Sequence, residues 1–261
     1  MSLIDTHCHL DYPGLAESLP DVLSRAREAG VTRMISIGTR LSAFDQVREI
    51  ARTNPGVFCT VGVHPHESGS EGLCDPTPLI EAADDPHVVG IGESGFDYFY
   101  DKAPRDAQRR SFLAHIHACQ ETGLPLVVHT RDADDDTMDL LEAAMAHKPF
   151  TGVIHCYSSS HRLAERAVTM GLHLGIGGIA TFPKSEAIRA TIRQMPLDAL
   201  ILETDAPYLA PAPKRGRTNE PSYVPFVAVR LAELFGLTVA EIGRVTTANA
   251  ERLFPRIKQA A

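Results

Sequence analysis

The sequence is poor in several features that would settle its class at once. No Cys-x-x-Cys pair occurs, and the five cysteines (Cys8, Cys59, Cys74, Cys119 and Cys156) are odd in number. A disulfide framework is therefore not the organising device, and a reduced, cytoplasmic compartment is expected. No apolar run approaches the roughly 20 residues that span a bilayer, so no membrane role is expected. Met1 to Leu10 carries neither a basic leader nor an apolar core segment and reads as mature structure. Positive charge is also short. Lys and Arg number 25 against 33 Asp and Glu, for a net charge of -8, which argues against a protein that grips long duplex nucleic acid mainly by neutralising phosphates. A local, cation-assisted phosphate site is still allowed, because bound divalent ions dominate the field around them. Internal repeats, low-complexity tracts and interdomain linkers are lacking. The Pro-rich stretch Ala210–Pro213 is short enough to be an active-site loop.

What is present is alternation. The 261 residues are 44% hydrophobic and 22% charged, and short apolar runs alternate with amphipathic stretches throughout. Strands are expected near Leu3–Thr6, Arg33–Ile37, Val57–Val61, Val88–Gly92, Leu126–Val128, Gly152–Ile154, His173–Ile176 and Ala199–Leu202. Between them lie helical patterns: Phe112, Leu113, Ile116 and Cys119 share one helical face. Thr238 and Glu241 have capping-box spacing, with Ile242, Val245 and Leu253 following at helical intervals. Repeated strand–helix units imply parallel strands buried on both faces. Eight of them in about 250 residues favour a single α/β domain over residues 1–261, a closed (β/α)8 TIM barrel.

Ligand-type side chains sit where such a barrel does its chemistry, at the carboxyl ends of strands. The first strand runs into His7-Cys8-His9, the fourth into Glu93, the fifth into His129, the sixth into His155 and the eighth into Asp205. Alternation along a strand points His7 and His9 one way and Cys8 the other, as a packed small residue. The remaining histidines supply an internal control. His87 and His173 fall at strand beginnings. His115 and His117 repeat the His-x-His spelling inside a helix, where two residues lie about 200° apart and cannot chelate together. His147 and His161 lie in or beside helices. Four imidazoles and two carboxylates suit Zn or Mn, and the carboxylates also suit Mg. Six ligands are too many for one catalytic ion with an open position, whereas two ions sharing Glu93 as a bridge account for all of them.

The ordered blocks Ile4-Asp-Thr-His-Cys-His9, Gly62-Val-His-Pro-His66, Ile91-Gly-Glu-Ser-Gly-Phe-Asp-Tyr98, His129-Thr-Arg-Asp132, His155-Cys-Tyr-Ser158, Leu202-Glu-Thr-Asp-Ala-Pro-Tyr208, Asn219-Glu-Pro221 and Asn249-Ala-Glu-Arg-Leu-Phe254 resemble the TatD family of metal-dependent deoxyribonucleases, within the amidohydrolase-like barrels. The resemblance covers nearly the whole chain. It implies that His7, His9, Glu93 and Asp205 hold one ion and that Glu93, His129 and His155 hold the second. It also implies hydrolysis of DNA, often as a 3′-exonuclease. Ser94 and Phe96 stand where the family often has larger aliphatic residues, and Tyr157 and Ser159 vary the loop after the sixth strand; both bear on substrate preference.

Asp205, with Glu93, is the expected catalytic carboxylate, positioning a water and accepting its proton. Substrate contacts are expected from His64 and His66 at the end of the third strand, from Arg131 and Lys102, and from Tyr98, with Glu203 as support for the site. Tyr12, Tyr98, Tyr100, Tyr157, Tyr208, Phe96 and Phe99 are placed in loops after strands. Such rings stack on splayed bases or pack the loops, and the first use favours single-stranded or frayed DNA. Lys184, Lys214, Arg215 and Arg217 extend a positive fringe. Asp134, Asp135 and Asp136 read as the acidic first turn of a helix, and Asn249 as a partner for buried backbone groups. No obligate protein partner is implied. Two competing readings stand beside this one. The first is hydrolysis of a non-phosphate bond on the same barrel (an aminoacyl-tRNA deacylase, amidase or lactonase), which Glu93 disfavours because many amidase and lactonase relatives carry a modified lysine on the fourth strand. The second is a binding protein with a vestigial site.

Overall fold

A computed structural model describes residues 2–258. Eight parallel strands follow one another in chain order: β1 (Leu3–Cys8), β2 (Val31–Ser36), β3 (Val57–Val61), β4 (Val88–Asp97), β5 (Leu126–Arg131), β6 (Gly152–Ile154), β7 (His173–Ile176) and β8 (Leu200–Leu202). Together they form a nearly closed barrel. Ladder pairing runs unbroken from β1 to β8. The seam between β8 and β1 is closed by other means. Cys8 and Ala206 form a single parallel bridge. His9 N–H donates to the Ala206 carbonyl at 2.7 Å and Asp205 N–H to that of His7 at 2.9 Å. Thr204 donates from its hydroxyl (2.6 Å) and its N–H (3.0 Å) to the buried Asp5 carboxylate.

Two apolar layers form, as expected of a sheet buried on both faces. The larger lies between strands and helices. The smaller fills the barrel: Ile4, Ile35, Phe58, Val89, Val127, Val153 and Ile201 come from seven of the eight strands, joined by Ala250, Leu253, Phe254 and Ile257. These last residues plug the amino-terminal mouth. They belong to the helix Val239–Leu253, fastened at its start by the expected Thr238–Glu241 capping box, and to the short turn after it. Arg256 ties this turn down by donating to the Ala83 and Val88 carbonyls at 2.8 and 2.7 Å. Asn249 donates to the Leu197 and Leu200 carbonyls at 2.9 and 2.8 Å, the backbone service read from the sequence. Among the described residues no single helix is long and apolar enough to cross a membrane.

The interior apolar residues set the phase of the polar ones. His129 lies two residues beyond Val127, His155 two beyond Val153, and Glu203 and Asp205 two and four beyond Ile201. Period-2 alternation therefore carries His129, His155 and Glu203 to the same lumen at the opposite, carboxyl-terminal mouth, while Asp205 lies in the segment beyond β8. In β1, Ile4 and His7 are three apart and strict alternation would separate them; the register shift between Asp5 and Cys8 brings both inside.

One strand departs from the sequence reading. β4 does not stop at Gly92 but runs to Asp97, paired with β5 through Gly95–His129, Phe96–Thr130 and Asp97–Arg131. Gly92 (φ 129°) and Gly95 (φ 146°) permit this: a Cβ on Gly95 would lie 1.9 Å from the His129 carbonyl oxygen. Glycines that read as a strand end are places where two backbones touch. Phe96 is consequently a correction. It is not a loop ring but a strand residue 1% exposed, packed edge to face on Phe112 at 5.4 Å. Tyr157 is likewise buried, and its hydroxyl donates to the Ser160 carbonyl at 3.1 Å.

Candidate metal centre

Glu93 lies at the middle of the carboxyl-terminal mouth, almost wholly buried. Its two oxygens face different partners. Oε2 lies 3.4 Å from His7 Nε2. Oε1 lies 2.7 Å from His155 Nε2, 2.9 Å from His129 Nδ1 and 3.5 Å from His64 Nε2. Asp205, beyond the end of β8 with its backbone in the left-handed region (φ 58°), reaches His9 Nε2 at 3.5 Å and His7 Nε2 at 3.7 Å. Aspartate tolerates that conformation better than most residues. All six expected ligand-type residues thus meet at one rim. They fall into overlapping groups whose ligand atoms lie within 4.8 Å of one another: His7, Glu93 and His155; His7, His9 and Asp205; and a third, with a residue expected only as a substrate contact, of His64, Glu93 and His129.

These residues fit a divalent cation. His7 Nε2, which faces both Glu93 and Asp205, is buried without a hydrogen-bond partner among the described residues. A buried polar atom left unpaired costs about 1–3 kcal/mol. Imidazole with carboxylate is the donor set of zinc and its first-row neighbours. Charge points the same way. Burial opposes ionisation of Glu93, but His155, His64 and His7 outweigh it and hold the carboxyl well below its usual range. Burial likewise opposes charging of His155, yet Glu93 and Glu203 lift it well above the usual imidazole range.

His64 has an assigned tautomer. Its Nδ1 accepts the N–H of His66 at 3.1 Å, and burial, the largest influence, drives its pKa well below the usual value. The neutral ring therefore carries its proton on Nε2 and presents a donor to the mouth. His115 holds the preceding residue: its Nε2 accepts from Val63 N–H at 2.9 Å and its Nδ1 donates to the Ser111 carbonyl at 2.7 Å. The helical pair behaves as the sequence required, with His115 buried and His117 exposed. Of the other control histidines, His87 pairs with Asp85, His161 with Glu165, His173 lies by Arg252, and His147 ends a helix.

Glu203 is buried beneath the centre. Its Oε1 accepts the Cys156 N–H and lies 3.7 Å from His155 Nδ1. Gly175 leaves it room, since a Cβ there would sit 2.1 Å from Glu203 Oε2. His66 does not reach Glu93; its Nε2 donates to Asp97 Oδ2 at 2.9 Å. Asp97 is the residue that sequence reasoning missed. It is fully buried and also accepts from His129 Nε2 at 3.0 Å. Glu93, Gly95 and Asp97 alternate on one face of β4, a pattern that shows only once the strand is known to continue past Gly92.

Outside this centre the rings divide. Tyr12 stacks on His9 at 4.6 Å, with its hydroxyl 3.0 Å from that of Thr39. The Tyr98 hydroxyl donates to Asp136 at 2.7 Å and its ring lies under Arg105. Phe99, Tyr100 and Tyr208 are each more than half exposed. Arg131 makes no ion pair among the described residues; its guanidinium lies over the rings of Phe99 (4.0 Å) and Tyr100 (4.7 Å), and Lys102 lies 5.6 Å from the Tyr100 ring centre. Lys214 and Arg215 lie over Tyr223 and Phe182. An open cavity of about 860 Å³ adjoins the centre, reaching from His129, His155 and Asp205 past Arg131 to Asp134 and Asp136. The three aspartates open the helix Asp134–His147 as expected.

A profile of the family described as TatD related DNase matches residues 4–255. The chain is 37% identical over 257 residues to the uncharacterized metal-dependent hydrolase YcfH of Escherichia coli strain K12, covering 97% of this chain and 96% of that one. It is 32% identical over 257 residues to a protein of Escherichia fergusonii named 3'-5' ssDNA/RNA exonuclease TatD, covering 97% and 98%. The crystal structure of YJJV, a TatD homolog from Escherichia coli K12, superposes with a TM-score of 0.90 at 30% identity, covering 97% and 98%. Barrel, donor set and relatives together define a metal-dependent hydrolase. The chain belongs to the TatD family.

Proposed function

We propose that this chain, acting as one catalytic domain, hydrolyses phosphodiester bonds of single-stranded DNA or frayed ends, from the 3′ end, with two divalent cations. The observation that carries the reading is the division of Glu93, one oxygen toward His7 and the other toward His129 and His155, as a carboxylate between two cation sites would be. His7, His9, Asp205 and Glu93 would hold one ion, and Glu93, His129 and His155 the other, each Zn, Mn or Mg. Such ions supply an ionised nucleophile near neutral pH and charge stabilisation on the phosphoryl oxygens.

The chain's own groups do the rest. Asp205, the more exposed of the two central carboxylates, orients the attacking water and takes its proton, with His7 and His9 holding it in place. The attack forms a new P–O bond and breaks the bond to the leaving oxygen, which departs as the alcohol with the proton that Asp205 took from the water. His64 Nε2–H donates to a phosphoryl oxygen. Glu203, 3.7 Å from His155 Nδ1, sets a negative charge beneath that ring. Arg131 and Lys102 offer positive charge, and Phe99, Tyr100 and Tyr208 offer faces for unpaired bases. Tyr98 serves through its ring alone, because its hydroxyl is committed to Asp136. The 3′-5′ exonuclease name of one relative supports polarity and strand type. End-labelled single-stranded and duplex DNA, digested with Mg, Mn or Zn beside the Asp205→Asn variant, tests this. Unshortened substrate under all three metals would overturn it.

A second reading has one observation in its favour. Asp134, Asp135 and Asp136 line the adjoining cavity, a wall better suited to a substrate without phosphate. A panel of esters, lactones and amides under the same metals distinguishes the two.

A further inference from the structure

Asp97 has both carboxylate oxygens committed, and to two different parts of the molecule. Oδ2 accepts from His129 Nε2 at 3.0 Å and from His66 Nε2 at 2.9 Å. Oδ1 accepts the N–H groups of Phe99 at 3.1 Å and Tyr100 at 2.9 Å. Gln108 clamps the backbone of the same residue, accepting its N–H at 2.9 Å and donating to its carbonyl at 3.3 Å. Nothing about the side chain is left free to turn.

We infer that Asp97 is a positioning residue: it fixes His129 with Nδ1 turned to Glu93 and, through its other oxygen, sets the loop that carries Phe99 and Tyr100. A neutral imidazole has one proton. Holding that proton on Nε2, against Asp97, leaves the Nδ1 lone pair facing Glu93 Oε1 at 2.9 Å and His155 Nε2 at 3.3 Å. Carboxylates that fix a metal-ligating histidine in this way are worth about 10–100-fold in metal affinity. The same group ties the exposed ring pair, with Arg131 laid over it, to the geometry of the centre. The inference rests on the metal-centre reading above.

Asp97→Asn tests it. The amide keeps an oxygen for the loop N–H groups but turns a donor toward His129 Nε2, which favours the tautomer with the proton on Nδ1. Zinc titration of metal-stripped protein is expected to show affinity reduced about tenfold or more, with the thermal midpoint nearly unchanged. Gln108→Ala, which loosens the same strand end but keeps the carboxylate, is expected to lower the midpoint and retain zinc affinity. Unchanged affinity in Asp97→Asn, or equal losses in the two variants, overturns the inference. Nitrogen chemical shifts of His129 in the zinc-loaded wild type give a readout that needs no variant: a proton on Nε2 is expected, and one on Nδ1 overturns it. Wild-type protein that takes up no ion would remove the metal centre itself, an outcome distinct from uptake that Asp97→Asn leaves unaltered.

Discussion

His115 offers a test of the scaffold behind the centre. Its ring is fully buried, and both nitrogens are committed in the neutral form, one donating to Ser111 and the other accepting from Val63. Protonation would set a second N–H against the Val63 N–H. Burial is the main cause that pushes its pKa down from 6.5 to about 4, the Ser111 bond opposing slightly. The unfolded chain therefore binds a proton that the folded chain refuses between those two values. Stability contributed by this residue is complete above the unfolded pKa and is lost as pH falls toward the folded one. A gap of about 2.5 pH units at about 1.4 kcal/mol each corresponds to about 3 kcal/mol. Urea unfolding of metal-stripped wild type and His115→Gln, from about pH 7.5 to about pH 4.5, isolates the effect, because groups common to both proteins cancel in the difference. The wild-type advantage should shrink by about 2–3 kcal/mol across that range. Parallel curves would refute the reasoning and with it the anchoring of Val63, the residue that precedes His64.

Asp205→Asn should lower turnover on single-stranded DNA by about 10²–10⁴-fold even at metal concentrations that saturate the variant; near wild-type rates under those conditions would remove Asp205 from its role. Phe99→Ala combined with Tyr100→Ala should raise KM for single-stranded DNA with little change in kcat, since stacking contributes about 1–3 kcal/mol per base; an unchanged KM would return these rings to a packing role. Phe254→Ala, at the plug of the barrel, should destabilise the fold by about 3–5 kcal/mol in denaturant unfolding, and a loss under about 1 kcal/mol would mean that the plug is dispensable.

Much of the fold and the centre was legible because two periodicities govern them. The 2-residue period that fills the barrel with Val127, Val153 and Ile201 also delivers His129, His155 and Glu203 to its mouth, and the 3.6-residue period separates His115 from His117. What was not legible arises where those periods break. β4 continues past Gly92 because glycines at 92 and 95 let it lie against β5, and no local signal distinguishes such glycines from a strand end. Ending the strand early misplaced Phe96 and hid Asp97. The seam between β8 and β1 includes the pairing of Thr204 with Asp5, residues 199 apart, which only the closed barrel creates. His64 faces Glu93 from the turn just after β3, with its Nδ1 taken by the His66 backbone.

The bridging role of Glu93 is the claim on which the rest depends. Equilibrium dialysis of metal-stripped protein against Mn²⁺ or Zn²⁺, with bound ion counted per chain, tests it most directly. The account predicts two ions per wild-type chain and loss of tight binding of both in Glu93→Gln, because each depends on the same carboxylate. A single ion per wild-type chain, or two that Glu93→Gln retains, would contradict it.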